Sequence, residues 1–171
     1  QAKGSNFLLY TANVLTDHIH IPQFLFLIPF CGGKFEDYYI EFDEPCEAKK
    51  LCFSDTCFYL EKDEAFPLED GRVLHLQHGL FDNDAIFLRD MASGVTLRCA
   101  DGKRSVHMSY PEMSFLGLWH KPLSDAPYVC IEPWTGYPST DGKVDALETK
   151  QQMHALEPQG VYRNVYTITF G

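Results

Sequence analysis

Apolar residues in this chain come in short runs rich in β-branched and aromatic side chains, and no stretch sustains the 3.6-residue period of an amphipathic helix. The runs read as strands: Asn6 to Ala12, Asp37 to Phe42, Leu51 to Leu60, Val73 to Leu76, Ala85 to Asp90, Gly94 to Ala100, Ser105 to Ser109, Phe115 to Leu118, Tyr128 to Glu132 and Tyr162 to Phe170. Turn chemistry separates them. Asp70-Gly71, Asp101-Gly102 and Asp141-Gly142 are pairs that tolerate positive φ and close tight reversals. A spacing of about ten residues is that of an all-β sandwich or barrel, and βαβ units are excluded. The last run alternates Tyr162, Asn164, Tyr166, Ile168 and Phe170 with Arg163, Val165, Thr167 and Thr169, so one of its faces is the more apolar.

With 171 residues, 45% of them hydrophobic, the chain can fill one cooperative core, which predicts a single domain over residues 1–171. Two segments depart from the strand pattern. Asp145 to Gln152 holds helix formers over about two turns and predicts a short helix or 3₁₀ turn. Thr11 to Phe30 keeps neither a period of 2 nor one of 3.6. The longest apolar run, Ile21 to Cys31, is interrupted by Pro22, Gln23 and Pro29, which argues against a membrane helix.

A formal charge of −10, from 24 acidic against 14 basic residues, repels phosphate backbones and anionic lipid, so neither nucleic acid nor a membrane surface is an expected partner. Six cysteines (Cys31, Cys46, Cys52, Cys57, Cys99 and Cys130) are spread through a chain whose apolar content needs no staples. Residues 1–10 lack the order of a signal peptide. Together these predict reduced thiols in a cytoplasmic protein.

Three clusters could carry chemistry. In Tyr128-Val129-Cys130-Ile131-Glu132-Pro133-Trp134 an apolar strand delivers a carboxylate at its end, where Pro133 is expected to stop the ladder. A wall made by Trp134, Gly136, Tyr137 and Pro138 would raise the proton affinity of Glu132 and make it a general base; the alternative is a solvated acid at a strand end. In His75-Leu76-Gln77-His78 and the following Asp82-Asn83-Asp84, the flanks and Gly79 argue against a metal pair. Asp82 and Asp84 either accept hydrogen bonds from sugar hydroxyls or form an Asx-type turn. In Trp119-His120-Lys121-Pro122 the indole either stacks on a pyranose ring, with His120 and Lys121 as donors, or belongs to the core. Nucleotide-loop, zincin and nucleophile-elbow motifs are absent from the sequence.

Leu118-Trp119-His120-Lys121-Pro122, followed by Ala126-Pro127-Tyr128-Val129-Cys130-Ile131-Glu132-Pro133-Trp134-Thr135-Gly136, resembles the closing region of the aldose 1-epimerase (galactose mutarotase) superfamily, in particular its LacX-like branch. Lys34 to Phe42, Leu80 to Ala85 and Leu156 to Arg163 are similar to that branch too, in consistent order from Phe30 to Phe170. The resemblance implies a large antiparallel β-sandwich, here without its amino-terminal portion, that interconverts the α and β anomers of a free hexose with no metal or organic cofactor. It makes Glu132 the catalytic base, and it places Asp84 where the family has a hydroxyl-binding aspartate. Trp119, Lys121 and Trp134 join these as the expected substrate-binding residues. Counting back from Pro29, Phe26 matches the phenylalanine of the family's Gly-Gly-His-Pro-Ala-Phe type motif, so Gln23 stands where the acid histidine is expected, with His20 three residues earlier. Glutamine cannot donate a proton as a general acid. The alternative function is therefore a carbohydrate-binding sandwich impaired in catalysis, with a small sugar as partner and a second copy or a missing amino-terminal segment as further partners.

Overall fold

The computed structural model describes residues 7–14, 26–30, 32–136, 138–146, 148 and 150–171. Within them the chain runs through β1 (Phe7–Val14), β2 (Phe26–Pro29), β3 (Tyr38–Phe42), β4 (Lys49–Phe53), β5 (Tyr59–Ala65), β6 (Val73–His75), β7 (Ile86–Arg89), β8 (Gly94–Cys99), β9 (Ser105–Ser109), β10 (Phe115–Trp119), β11 (Tyr128–Trp134) and β12 (Tyr162–Phe170). Short 3₁₀ turns at Phe35–Asp37 and His78–Phe81 are the helical elements among the described residues. None of these is long and apolar enough to cross a membrane.

Two six-stranded sheets form, in the orders β1-β12-β9-β8-β3-β6 and β2-β11-β10-β7-β4-β5, and every strand pairing is antiparallel. This is the all-β antiparallel sandwich that the strand pattern and the resemblance imply. Its core comes from alternation. In β12, Asn164, Tyr166 and Ile168 are buried while Arg163 is exposed, so the more apolar face points inward as expected. Ile40, Phe42, Val95, Leu97 and Met108 from one sheet meet Ile86, Leu88, Leu116, Leu118, Val129 and Ile131 from the other, each of them nearly or fully out of water. Between β8 and β9 the Asp101-Gly102 turn works as read: Gly102 has φ +68, its N–H donates to the Cys99 carbonyl, and Asp101 Oδ1 accepts from the Lys103 N–H at 3.0 Å.

Three expectations are corrected. The run Leu51 to Leu60 is two strands, because Ser54 to Cys57 makes a turn in which Cys57 takes φ 63 and its N–H donates to the Ser54 carbonyl. Asp145 to Gln152 contains no helix among its described residues; Lys150 there spends its charge on Asp145 at 3.1 Å and on Ser139 Oγ at 2.9 Å, contacts that hold an irregular loop. Pro133 does not end β11, which continues to Trp134 with Pro133 opposite Leu116. Pairing with β2 stops at Ile131, so beyond that point one side of β11 is an edge among the described residues, and a residue without an N–H is tolerated there. The five described cysteines, Cys46, Cys52, Cys57, Cys99 and Cys130, are free thiols. Cys31 lies outside the described residues.

Candidate active site

The second sheet has two faces with different contents. Leu116 and Leu118 of β10, and Val129 and Ile131 of β11, point into the core between the sheets. Their sequence neighbours Phe115, Gly117 and Trp119, and Cys130, Glu132 and Trp134, therefore share the opposite, outer face. Register aligns them in rows: Phe87, Gly117 and Glu132 lie side by side, and Arg89, Phe115 and Trp134 form the next row. A small apolar cluster of Leu51, Tyr59 and Phe115, with Phe53, Phe87 and Trp134 packed against it, covers this outer face beside Glu132. Phe87 and Trp134 meet edge to face at 4.9 Å.

Gly117 is where the site needs a missing side chain. A Cβ on Gly117 would stand 3.3 Å from the Glu132 Cβ and 3.4 Å from the Phe87 ring, so glycine leaves the room that the carboxylate occupies. Burial pushes the Glu132 carboxyl above its usual range. The charge of nearby Asp84 raises it further. The Trp134 indole N–H acts in the opposite direction, although it falls short of a well-aligned hydrogen bond to any described residue. Beside Glu132, burial and the Glu132 charge together push the Cys130 thiol up to about 11.

Asp84 reaches the site from the loop before β7. It closes the reversal that begins with the 3₁₀ turn at His78–Phe81, donates its N–H to the Phe81 carbonyl and takes φ 78, a left-handed backbone that Asp tolerates. Its Oδ1 accepts the indole N–H of Trp119 at 2.9 Å, which fixes that ring at the end of β10. Of the residues read from the sequence, Trp119, Glu132 and Trp134 thus share one face of one sheet, with Trp119 and Trp134 at opposite ends of the β10–β11 pair and Glu132 between them, and Asp84 joins that face through its bond to Trp119. Lys121 lies exposed in the turn after β10 and makes no hydrogen bond or ion pair among the described residues. His75 is on β6 in the other sheet and pairs with Glu69, apart from His78, so the two do not form a common site. Gln23 and His20 lie outside the described residues.

Other residues of this face escaped the sequence reading. Tyr59 donates its hydroxyl to Asp63 Oδ1 at 2.8 Å, and Asp63 in turn pairs with Arg89. This polar line borders the row of Phe115 and Trp134. Period-2 alternation in β7 does place Phe87 and Arg89 together, but only the pairing of β7 with β10 shows that they share the face of Glu132.

An antiparallel sandwich with a desolvated carboxylate, an aspartate and two indoles on one sheet is a setting for hydroxyl-bearing ligands. The structure overlays on a galactose mutarotase related enzyme from Lactobacillus acidophilus with a TM-score of 0.80 and 23% identity, over 97% of this chain and 58% of that one. A galactose mutarotase-like protein from Lactobacillus casei superposes with a TM-score of 0.73 and 19% identity, over 96% and 58%. Protein LacX of Lactococcus lactis subsp. lactis is 31% identical over 141 residues, which is 81% of this chain and 46% of LacX. The chain has the galactose mutarotase-like fold and resembles LacX in sequence. No family model matches it. The chain spans about half the length of the LacX protein it matches.

Proposed function

We propose that this chain is part of an aldose 1-epimerase-like isomerase in which Glu132 is the base. The observation that carries the reading is the half-buried Glu132 carboxyl, raised in proton affinity by burial on an outer sheet face that also presents Asp84, Trp119 and Trp134. A carboxylate of raised proton affinity can take the anomeric hydroxyl proton of a free hexose while an acid protonates the ring oxygen. The C1–O5 bond then opens, the C1–C2 bond rotates and the ring recloses on the other face. Asp84 accepts hydrogen bonds from sugar hydroxyls in this scheme, and the indoles offer apolar surface to the ring. Lys121, exposed just after β10, completes the proposed binding set as a donor. The reading takes a cytoplasmic setting, supported by the free thiols.

A second reading is a sugar-binding sandwich with impaired catalysis. What favours it is Gln23, which occupies the position at which the resemblance expects the acid histidine.

Glu132→Gln separates the two. The amide keeps the shape but cannot accept the anomeric proton, so mutarotation followed by polarimetry should fall ~10²–10⁴-fold with little change in sugar affinity. Rates unchanged by the substitution remove Glu132 as the base. A wild-type chain that binds hexose without accelerating anomer exchange supports the binding reading.

A further inference from the structure

Two histidines near the site have no part in the proposed chemistry, yet they join the three segments that build it. His120 is 1% exposed and follows Trp119 directly. Its Nε2 lies 3.1 Å from His78 Nδ1, and its Nδ1 lies 3.0 Å from the Tyr128 carbonyl. Two neutral rings serve both contacts in one arrangement: His78 Nδ1–H donates to His120 Nε2, and His120 Nδ1–H donates to the Tyr128 carbonyl. The Ser124 carbonyl stands 3.0 Å from the same Nε2. Phe35 stacks on His78 with ring centres 4.1 Å apart and also touches His120 at 4.7 Å, so the pair is held in an aromatic box.

Each end of this relay leads to a site residue. His78 opens the 3₁₀ turn whose last residue, Phe81, accepts the Asp84 N–H. His120 is covalently next to Trp119, whose indole holds Asp84. Tyr128 begins β11, the strand that delivers Glu132. We infer that the His78–His120 pair is a positioning device that sets the Asp84–Trp119 limb against Glu132. The sense of "site" here rests on the reading of the Glu132 face as the sugar-binding face. Neither histidine touches the reacting atoms in this scheme; both act through Asp84 and Trp119.

The chain's two tryptophans supply an internal probe. Trp119 donates its indole N–H to Asp84, whereas Trp134 makes no well-aligned bond among the described residues, so an indole ¹H–¹⁵N spectrum should show two resonances in different environments. Trp119→Phe assigns them. In His120→Leu and in His78→Leu the Trp119 resonance should shift or broaden while that of Trp134 holds, and KM for the hexose should rise ~10-fold with kcat changed less, because the displaced Asp84 and Trp119 are the groups that hold the sugar. His120→Asn keeps a donor toward the Tyr128 carbonyl and should return part of both signals. A Trp119 resonance unmoved in folded His120→Leu or His78→Leu protein overturns the inference. Should His120→Leu not fold, the half-buried His78→Leu decides. If the unmodified chain shows no anomer exchange, the epimerase reading fails on its own, and the indole resonances still report whether the pair sets the limb.

Discussion

A carboxyl group half withdrawn from water, with a second carboxylate nearby, is more stable protonated than it is in an unfolded chain. Glu132 is in that position, and the direction of its shift fixes a sign. Between the ordinary carboxylate range and the raised value of Glu132, the folded state binds more protons than the unfolded state, so stability falls as pH rises through that window. Glu132→Gln removes this term. The variant should match the parent in melting temperature below the ordinary carboxylate range and exceed it at neutral pH; a variant that is less stable at neutral pH contradicts the placement of the carboxyl. Loss of activity combined with gain of stability is the expected mark of a group kept for its chemistry. At this scale the sequence named Glu132 and Trp134 as neighbours, but it placed Trp134 in a loop beyond Pro133, whereas β11 runs on to Trp134 and alternation sets the two on one face. Asp84 and Trp119 were legible as candidates, but their 2.9 Å bond joins a loop residue to the last residue of β10 and depends on tertiary pairing. His78 and His120 show the limit most clearly: each looked like a separate motif residue, and only the fold places them 3.1 Å apart.

At the scale of elements, the site depends on a glycine in a central strand. Gly117 sits between Phe87 and Glu132 in register, and the contacts of 3.3 and 3.4 Å that a methyl group would make require its neighbours to yield by a few tenths of an ångström. Gly117→Ala should therefore leave the sandwich folded, as judged by far-UV circular dichroism, while anomer exchange falls about tenfold through a displaced carboxylate. Gly117→Val should be more severe in both respects. An alanine variant with full activity shows that Glu132 does not need that space. Most strands were legible from alternation, and their boundaries shifted by a residue or two where caps and bridges decide the end. The failures are physical. β5 carries Glu61, Lys62, Asp63 and Glu64 because it is an edge strand, so its composition looks like a loop. Pro133 stands within β11 opposite Leu116, and the described pairing of that strand with β2 reaches only Ile131. The described residues of Asp145 to Gln152 are not helical despite their helix formers, and Lys150 there pairs with Asp145, a contact that propensity does not register.

Taken as a whole, the molecule divides stability and proposed chemistry between the two faces of one sheet. Ile131 and Glu132 are consecutive on β11, yet Ile131 is fully buried between the sheets and Glu132 looks out on the opposite face. The layered architecture was readable because ten short runs separated by turn chemistry admit few solutions, whereas the order of strands within each sheet was not, since it is set by pairings distant in sequence. That order gives the division its test. Ile131→Ala leaves a cavity against Leu116, Leu118 and Val129 in the shared core and should cost ~2–5 kcal/mol in denaturant unfolding. The protein that remains folded should keep its anomer exchange rate per folded molecule, because the neighbours of Ile131 are core residues and not those that face the sugar. Glu132→Gln should do the reverse, removing activity while raising stability at neutral pH. Adjacent substitutions with opposite effects on the two measurements would follow from the alternation of a single strand between a core and a site. If instead Ile131→Ala removed activity from fully folded protein, the two faces would be mechanically coupled, and Glu132 would owe its position to core packing as much as to Gly117 beside it.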